Sequence, residues 1–206
     1  MSEPPAAIPA LCLASASPRR AELLAQIGVA HVVAHPEIDE AVLPGEEPAD
    51  YVVRVARAKA NSVQGRNAEL PVLAADTIVV VDGRICGKPA SAAEGIAMLM
   101  QLSGRTHRVL TAVALAAVGA LEHRLSASKV RFRRLSRAEC LAYWCSGEPR
   151  DKAGGYAVQG RGAVFIEHLS GSYSGVMGLP LFETAQLLLA AGIPMWPPEA
   201  AADASP

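Results

Sequence analysis

One carboxylate interrupts an otherwise apolar stretch of the chain. Asp76 lies within Val72-Leu73-Ala74-Ala75-Asp76-Thr77-Ile78-Val79-Val80-Val81, whose β-branched residues predict a buried strand. An ionised acid in such a strand costs on the order of several kcal/mol unless a metal, a cation or solvent in a cleft meets it. Met in that way, it is suited to take a proton from water or to bind a divalent ion. The plainer alternative is a structural Asp satisfied by backbone donors. Lys59 breaks a pattern of the same kind. Tyr51, Val52, Val55 and Ala56 form the apolar stripe of a helix, and Lys59 follows on that stripe. It either snorkels to solvent or projects into a cleft beside the core.

Arg19 and Arg20 follow Ser17-Pro18, an N-cap with proline at the first helical position. Positive charge opposes the helix dipole there. Two guanidiniums beside unpaired N–H groups suit a bound anion, above all a phosphate; two solvated surface arginines are the alternative. Glu37, Asp39 and Glu40 form an acidic cluster after Val32-Val33. Such loops are usually solvated, but one of these acids together with Asp76 suits Mg²⁺ or Mn²⁺. Gly87-Lys88-Pro89 is not the end of a Walker A motif, because Asp82 holds the first glycine's place and Pro89 replaces Ser/Thr. Lys88 is still free to contact a phosphate. Gly160-Arg161-Gly162 is not a dinucleotide fingerprint, since Phe165 replaces the third glycine and a strand is expected to follow. The glycine-rich segments Asp151 to Gly160 and Gly171 to Pro180 suit close approach of backbone to a ligand.

The elements that must position these residues alternate. Leu11 to Ala14 reads as a buried strand, followed by a helix with Leu23, Leu24 and Ile27 inward and Gly28 at its end. A second helix is expected from about Ala49 to Ser62. Asp82-Gly83 predicts a two-residue hairpin after Val81. Ser91 to Glu94 and Ser136 to Glu139 each have the form of a capping box. The first helix runs to about Leu102 and the second to near Gly147. His107 to Ala116, Leu121 to Arg133 and Ala163 to Leu169 read as strands, and Pro180 opens a last helix ending near Gly192. The hairpin demands an antiparallel pair among alternating elements, so the fold class is α/β with a mixed sheet.

The 206 residues, 51% hydrophobic and 19% charged, suit one domain or two small lobes sharing a core. A formal net charge of −1 speaks against a dedicated duplex-DNA binder, and 4% aromatic content against a base-stacking platform. No stretch reaches the ~20 apolar residues of a membrane span. Neither nucleic acid nor membrane is therefore an expected partner. Met1 to Ala10 lacks the charged and apolar regions of a secretory leader. Cys12, Cys86, Cys140 and Cys145 form no CxxC pair and read as free thiols of a cytoplasmic protein. His31 and His35 have metal-pair spacing, but Pro36 and the Val-rich flanks speak against a helical zinc site.

Leu13-Ala14-Ser15-Ala16-Ser17-Pro18-Arg19-Arg20, Ala75-Asp76-Thr77, Gly87-Lys88-Pro89, Asp151-Lys152-Ala153-Gly154, Val158-Gln159-Gly160 and Gly178-Leu179-Pro180, in that order, resemble the motifs of the Maf family of nucleotide pyrophosphatases. The resemblance covers the chain from about Leu11 to Gly192. It implies a two-lobed fold with a central cleft, similar to inosine-triphosphate pyrophosphatases, in a homodimer. One catalytic domain is then expected over residues 11–193, between a flexible N-terminus (1–10) and a disordered tail (194–206). The implied reaction is hydrolysis of a nucleoside triphosphate to the monophosphate and pyrophosphate. Asp76 is implied as general base, Glu40 as an acidic cleft residue that joins it at Mg²⁺ or Mn²⁺, and Ser15, Arg19, Arg20, Lys59 and Lys88 as the phosphate-facing set. Family members acting on 7-methyl-GTP carry Trp, Gln and Glu where this chain has Arg19, Thr77 and Gln159. Trp stacks on a cationic base and Glu pairs with it. Arg19 would repel such a base, while Gln159 both donates and accepts, which suits uracil or thymine. The resemblance therefore implies dTTP and UTP as substrates, with 7-methyl-GTP and a non-hydrolysing nucleotide sensor acting on cell division as the rival readings.

Overall fold

The fully buried β1 (Leu11–Ala14) is the hinge of the architecture, paired in parallel with strands on both sides. A crossover through α1 (Pro18–Gln26) leads to β2 (His31–Ala34), and a second through α2 (Pro48–Gln64) leads to β3 (Val72–Val81). The computed structural model describes residues 8–66, 69–117 and 119–196. At Asp82 and Gly83, φ is 51° and 76°, the left-handed pair of a type I′ turn. That turn folds β4 (Arg84–Cys86) antiparallel onto β3, as the Asp-Gly dipeptide predicts. Helix α3 (Ala92–Leu102) follows, then the long antiparallel strands β5 (Thr106–Ala117) and β6 (Ala120–Phe132), α4 (Arg137–Cys145), β7 (Ile166–Ser170), α5 (Tyr173–Met177) and α6 (Leu181–Ala190). The seven-stranded mixed sheet has the order β2-β1-β3-β5-β6-β7, with β4 on β3.

β3 is longer than either neighbour on one of its edges. There β1 covers Val72 to Ala74 and β4 covers Val79 to Val81, while β5 runs along the opposite edge from Val72 to Val80. Residues Ala75 to Ile78 thus have no strand beside them on that edge, and the sheet is notched where Asp76 and Thr77 lie. Alternation along β3 sends Ala74, Ile78 and Val80 into a core under α2, and Leu73 and Ala75 into a core with α1 and α6. A third cluster lies between the outer end of the sheet and α3 and α4, around Val79, Phe132, Leu99 and Tyr143. This cluster is the body of the second lobe, and the notch opens between the lobes.

Several elements differ from expectation. Helix α2 runs on to Gln64, extending its apolar stripe to Val63. Residues Ala163 to Phe165 belong to a 3-10 turn rather than a strand, because the Arg161 and Gly162 amides are turned toward Glu148. The segment after Gly171 contains the short α5, capped by Ser172. Ile27 stands at the C-cap of α1 and packs, half-buried, against the same core as Leu23 and Leu24, as expected. Ser136 forms the full capping box, but Glu94 caps the amide of Ala90 instead of Ser91. The folded chain continues past 193: Met195 packs into the core and the Trp196 amide donates to the Ile27 carbonyl at 3.1 Å. The remainder of the expected flexible ends, residues 1–7 and 197–206, lies outside the described residues. Among the described residues no helix is long and apolar enough to cross a membrane.

The second lobe depends on one close approach. Gly95 of α3 is buried, and a Cβ there would overlap the Trp144 ring of α4. Gly95→Ala gains about 1 kcal/mol of helix propensity, but the overlap costs about 1–3 kcal/mol. The expected net result is a lower urea midpoint; an unchanged or higher one would show that Trp144 moves aside freely.

Candidate active site

The notch opens into a cavity of about 550 Å³ whose lining includes Ser15, Arg19, Arg20, Glu40, Lys59, Asp76, Thr77, Lys88 and Gln159. Of the acidic cluster only Glu40 reaches this space: Glu37 faces Arg66 at 3.8 Å and Asp39 accepts the Ala41 amide at 2.8 Å. The loops that follow β1 and β2 supply Ser15, the start of α1 and Glu40, as expected for a crevice beyond the carboxyl ends of parallel strands.

Asp76 follows the parity of Ala74 and Ile78 and so points toward α2. There the Lys59 ammonium donates to Asp76 Oδ1 at 2.8 Å and lies 3.0 Å from Glu40 Oε1. Lys59 and Asp76 are only 7% and 6% exposed, so the lysine does not snorkel. The Asp76 acid is met by a cation at the edge of a cleft, which accounts for a carboxylate inside an apolar strand. The Tyr51 hydroxyl donates to the Glu40 carbonyl at 2.9 Å and anchors the acidic loop. Burial, aided by the nearby Asp76 and Glu40 charges, pushes that phenol up to about 12.

Thr77 has the opposite parity and meets α1. Arg20 Nη2 donates to Thr77 Oγ1 at 3.3 Å, Nη1 to Ser15 Oγ at 3.2 Å and Nε to the Gly178 carbonyl at 2.8 Å. The buried Thr111, opposite Thr77 in the β5 register, bridges Thr77 Oγ1 at 3.1 Å and the Gly175 carbonyl at 2.7 Å. Burial pushes the Arg20 guanidinium down from its ordinary value, opposed by the Asp76 charge. Ser15 Oγ also accepts the Ser17 amide at 3.1 Å. With both lone pairs engaged, its proton is left for an acceptor such as a phosphate oxygen.

The two arginines therefore differ. Arg20 braces the α1 and α5 sides of the cavity, whereas Arg19 is half-buried and faces Asp151 Oδ2 at 3.5 Å. Lys152 donates to the Glu148 carbonyl at 2.8 Å and to Asp151 Oδ1 at 2.6 Å. Burial raises the Asp151 carboxyl, but Lys152 and Arg19 outweigh it and leave the group below its ordinary range. Lys88 and Gln159 are exposed at the rim. Tyr51, Asp151, Lys152 and Tyr156 line the cavity without having been singled out as site residues. Asp151 and Lys152 carried two signals, their place at the start of a glycine-rich segment and within one of the motifs that carry the family resemblance. Tyr51 was hidden within an apolar stripe.

Among the described residues no group of three or more His, Cys, Asp or Glu is arranged to hold a metal. His31 Nδ1 is bonded to the Val29 carbonyl at 2.9 Å, and of the two histidines only His35 lines the cavity. The acidic oxygens nearest a shared cationic point are those of Asp76 and Glu40. With Arg19, Arg20, Lys59, Lys88 and Lys152 around them, the cavity suits an extended polyanion.

Comparison with known proteins agrees with this chemistry. The family model described as "Maf-like protein" matches residues 10–191. The dTTP/UTP pyrophosphatase of Methylobacillus flagellatus is 56% identical over 183 residues, covering 88% of this chain and 92% of the relative. That of Alkalilimnicola ehrlichii is 55% identical over 187 residues, covering 87% and 92%. Among solved structures, the Ham1 protein of Staphylococcus aureus aligns over 88% of this chain and 96% of its own, at 13% identity and a TM-score of 0.44.

Proposed function

The chain belongs to the Maf-like family, and on that premise we propose that it hydrolyses dTTP and UTP to the nucleoside monophosphate and pyrophosphate. The observation that carries the reading is the Lys59–Asp76 pair in the notch of the sheet, facing the same cavity as Ser15, Arg19 and Arg20. A triphosphate carries about four negative charges near neutral pH, which resist attack by water; cationic side chains spread that charge as it moves to the leaving group. Arg19, Lys88 and the Ser15 hydroxyl hold the phosphate chain. Arg20 braces Ser15 and Thr77 beneath it. Asp76 takes a proton from water as its oxygen bonds to the α-phosphorus, and the bond from that phosphorus to the bridging oxygen breaks to release pyrophosphate. Lys59 keeps the Asp76 carboxylate oriented.

The proposal includes Mg²⁺ or Mn²⁺. Glu40 and Asp76 converge on one ammonium, and Mg²⁺ is commonly bound by one or two carboxylates together with substrate phosphates. These two carboxylates would hold it; the bound ion neutralises phosphate charge. The proposal also includes a cytoplasmic homodimer. The four cysteines are free, which suits a reducing compartment, and Phe182 and Leu189 on α6 are exposed apolar side chains.

Gln159 reads the base. Its amide both donates and accepts, matching a neutral pyrimidine edge, and Arg19 disfavours a cationic base. The test is a nucleotide panel on purified protein with pyrophosphate measured as product. dTTP and UTP should be hydrolysed fastest. A maximum with 7-methyl-GTP would overturn the base assignment, and binding without pyrophosphate release would overturn the enzymatic one.

A further inference from the structure

We infer that Glu148, together with Tyr143, is a positioning residue that sets Gln159 at the base-reading end of the cavity without touching substrate. The inference rests on the proposed role of Gln159. Gln159 lies in the loop from Ala157 to Gly162, whose apolar side chains Ala157 and Val158 are buried and precede the exposed Gln159. The loop is also gripped by its backbone at both ends. The Ala157 amide donates to Tyr143 Oη at 3.1 Å. The Arg161 amide donates to Glu148 Oε2 at 2.9 Å and the Gly162 amide to Oε1 at 3.1 Å. The Tyr143 hydroxyl in turn donates to Glu148 Oε1 at 2.6 Å, joining the two grips into one. Gln159 is held between them.

Gly160-Arg161-Gly162 acquires a reason in this arrangement. A Cβ on Gly160 would overlap the Glu148 carboxylate. One on Gly162 would stand 2.7 Å from Tyr143 Oη and 2.9 Å from the Ala157 carbonyl. Neither glycine has a positive φ, so what they supply is closeness, which lets the carboxylate lie directly on the backbone. Tyr143 is itself fixed, buried edge-on against Phe165 at 5.0 Å between ring centroids. Burial pushes the Glu148 carboxyl up, but the Tyr143 hydroxyl and the two amides outweigh it and leave the group below its ordinary range. The Glu148 carbonyl also receives Lys152, which holds Asp151 toward Arg19. Both residues proposed to discriminate the base are thus tied to the same short turn.

The experiment is a double-mutant cycle between Glu148→Gln and Gln159→Ala, read as KM and kcat for dTTP. Glutamine keeps the shape of Glu148 but turns an NH₂ toward an amide donor. Losing hydrogen bonds to a charged group predicts a KM rise of about tenfold, with kcat little changed. Because Glu148 acts through Gln159, adding Glu148→Gln to Gln159→Ala should raise KM little further. Tyr143→Phe keeps the ring packing and should shift KM in the same direction by less, so the inference stays testable if Glu148→Gln fails to fold. If Gln159→Ala raises KM but the two effects multiply, or if Glu148→Gln and Tyr143→Phe act on kcat alone, the positioning role is wrong and the base assignment stands. If Gln159→Ala leaves KM unchanged, the base assignment falls and this inference with it.

Discussion

Asp76→Asn should lower kcat for dTTP by a factor of about 10²–10⁴, the usual contribution of a positioned general base, while nucleotide binding survives. The substitution is nearly isosteric in a strand whose register is fixed on both sides of the position by the β5 ladder, where Asp76 pairs with Ala112. The amide oxygen still accepts from Lys59, and Lys59 retains Glu40 at 3.0 Å. What disappears is the basic oxygen. The change also removes one negative charge from a cavity that binds a polyanion, so affinity should hold or improve. Calorimetric titration with dTTP, beside pyrophosphate release, checks both halves. Turnover at the wild-type rate would remove Asp76 from the chemistry, and loss of binding would recast it as a substrate contact.

Much of this site could be read from the sequence because its residues contradict their surroundings locally. An acid among β-branched residues and a lysine on an apolar helical stripe are both visible without a structure, and they prove to be partners at 2.8 Å. Ser136 to Glu139 likewise carries its capping box within four consecutive residues. The notch itself could not be read. It follows from β1 and β4, distant in sequence, sharing one edge of β3 and stopping short of each other. The division of labour between Arg19 and Arg20 was hidden for the same reason, since the bracing carbonyl of Gly178 lies 158 residues from Arg20. The Ala163 to Phe165 stretch shows the limit of periodicity. A short apolar run suits a strand or a turn, and here the preceding amides, drawn to Glu148, decide for the turn.

Lys59→Met should destabilise the protein more than any other single change at the site. Methionine replaces the stem of the lysine but leaves Asp76, 6% exposed, without its hydrogen-bonded cation. Removing one partner of a buried pair typically costs about 3–5 kcal/mol. For a chain of this size each kcal/mol corresponds to roughly 2–4 °C in Tm, so a fall of roughly 6–20 °C is expected in thermal unfolding followed by circular dichroism. Glu40 adds little to this cost, because its side chain is 49% exposed and water replaces the lost ammonium. The diagnostic protein is the double variant Lys59→Met with Asp76→Asn. Removing the stranded charge should recover a large part of the lost Tm, so the double variant should melt above Lys59→Met alone. Activity should remain low in both, since one lacks the oriented base and the other lacks the base altogether. A Lys59→Met protein that melts within 2 °C of wild type would mean that water already reaches Asp76 well enough to carry its charge, and the lysine would then serve the phosphates rather than the acid.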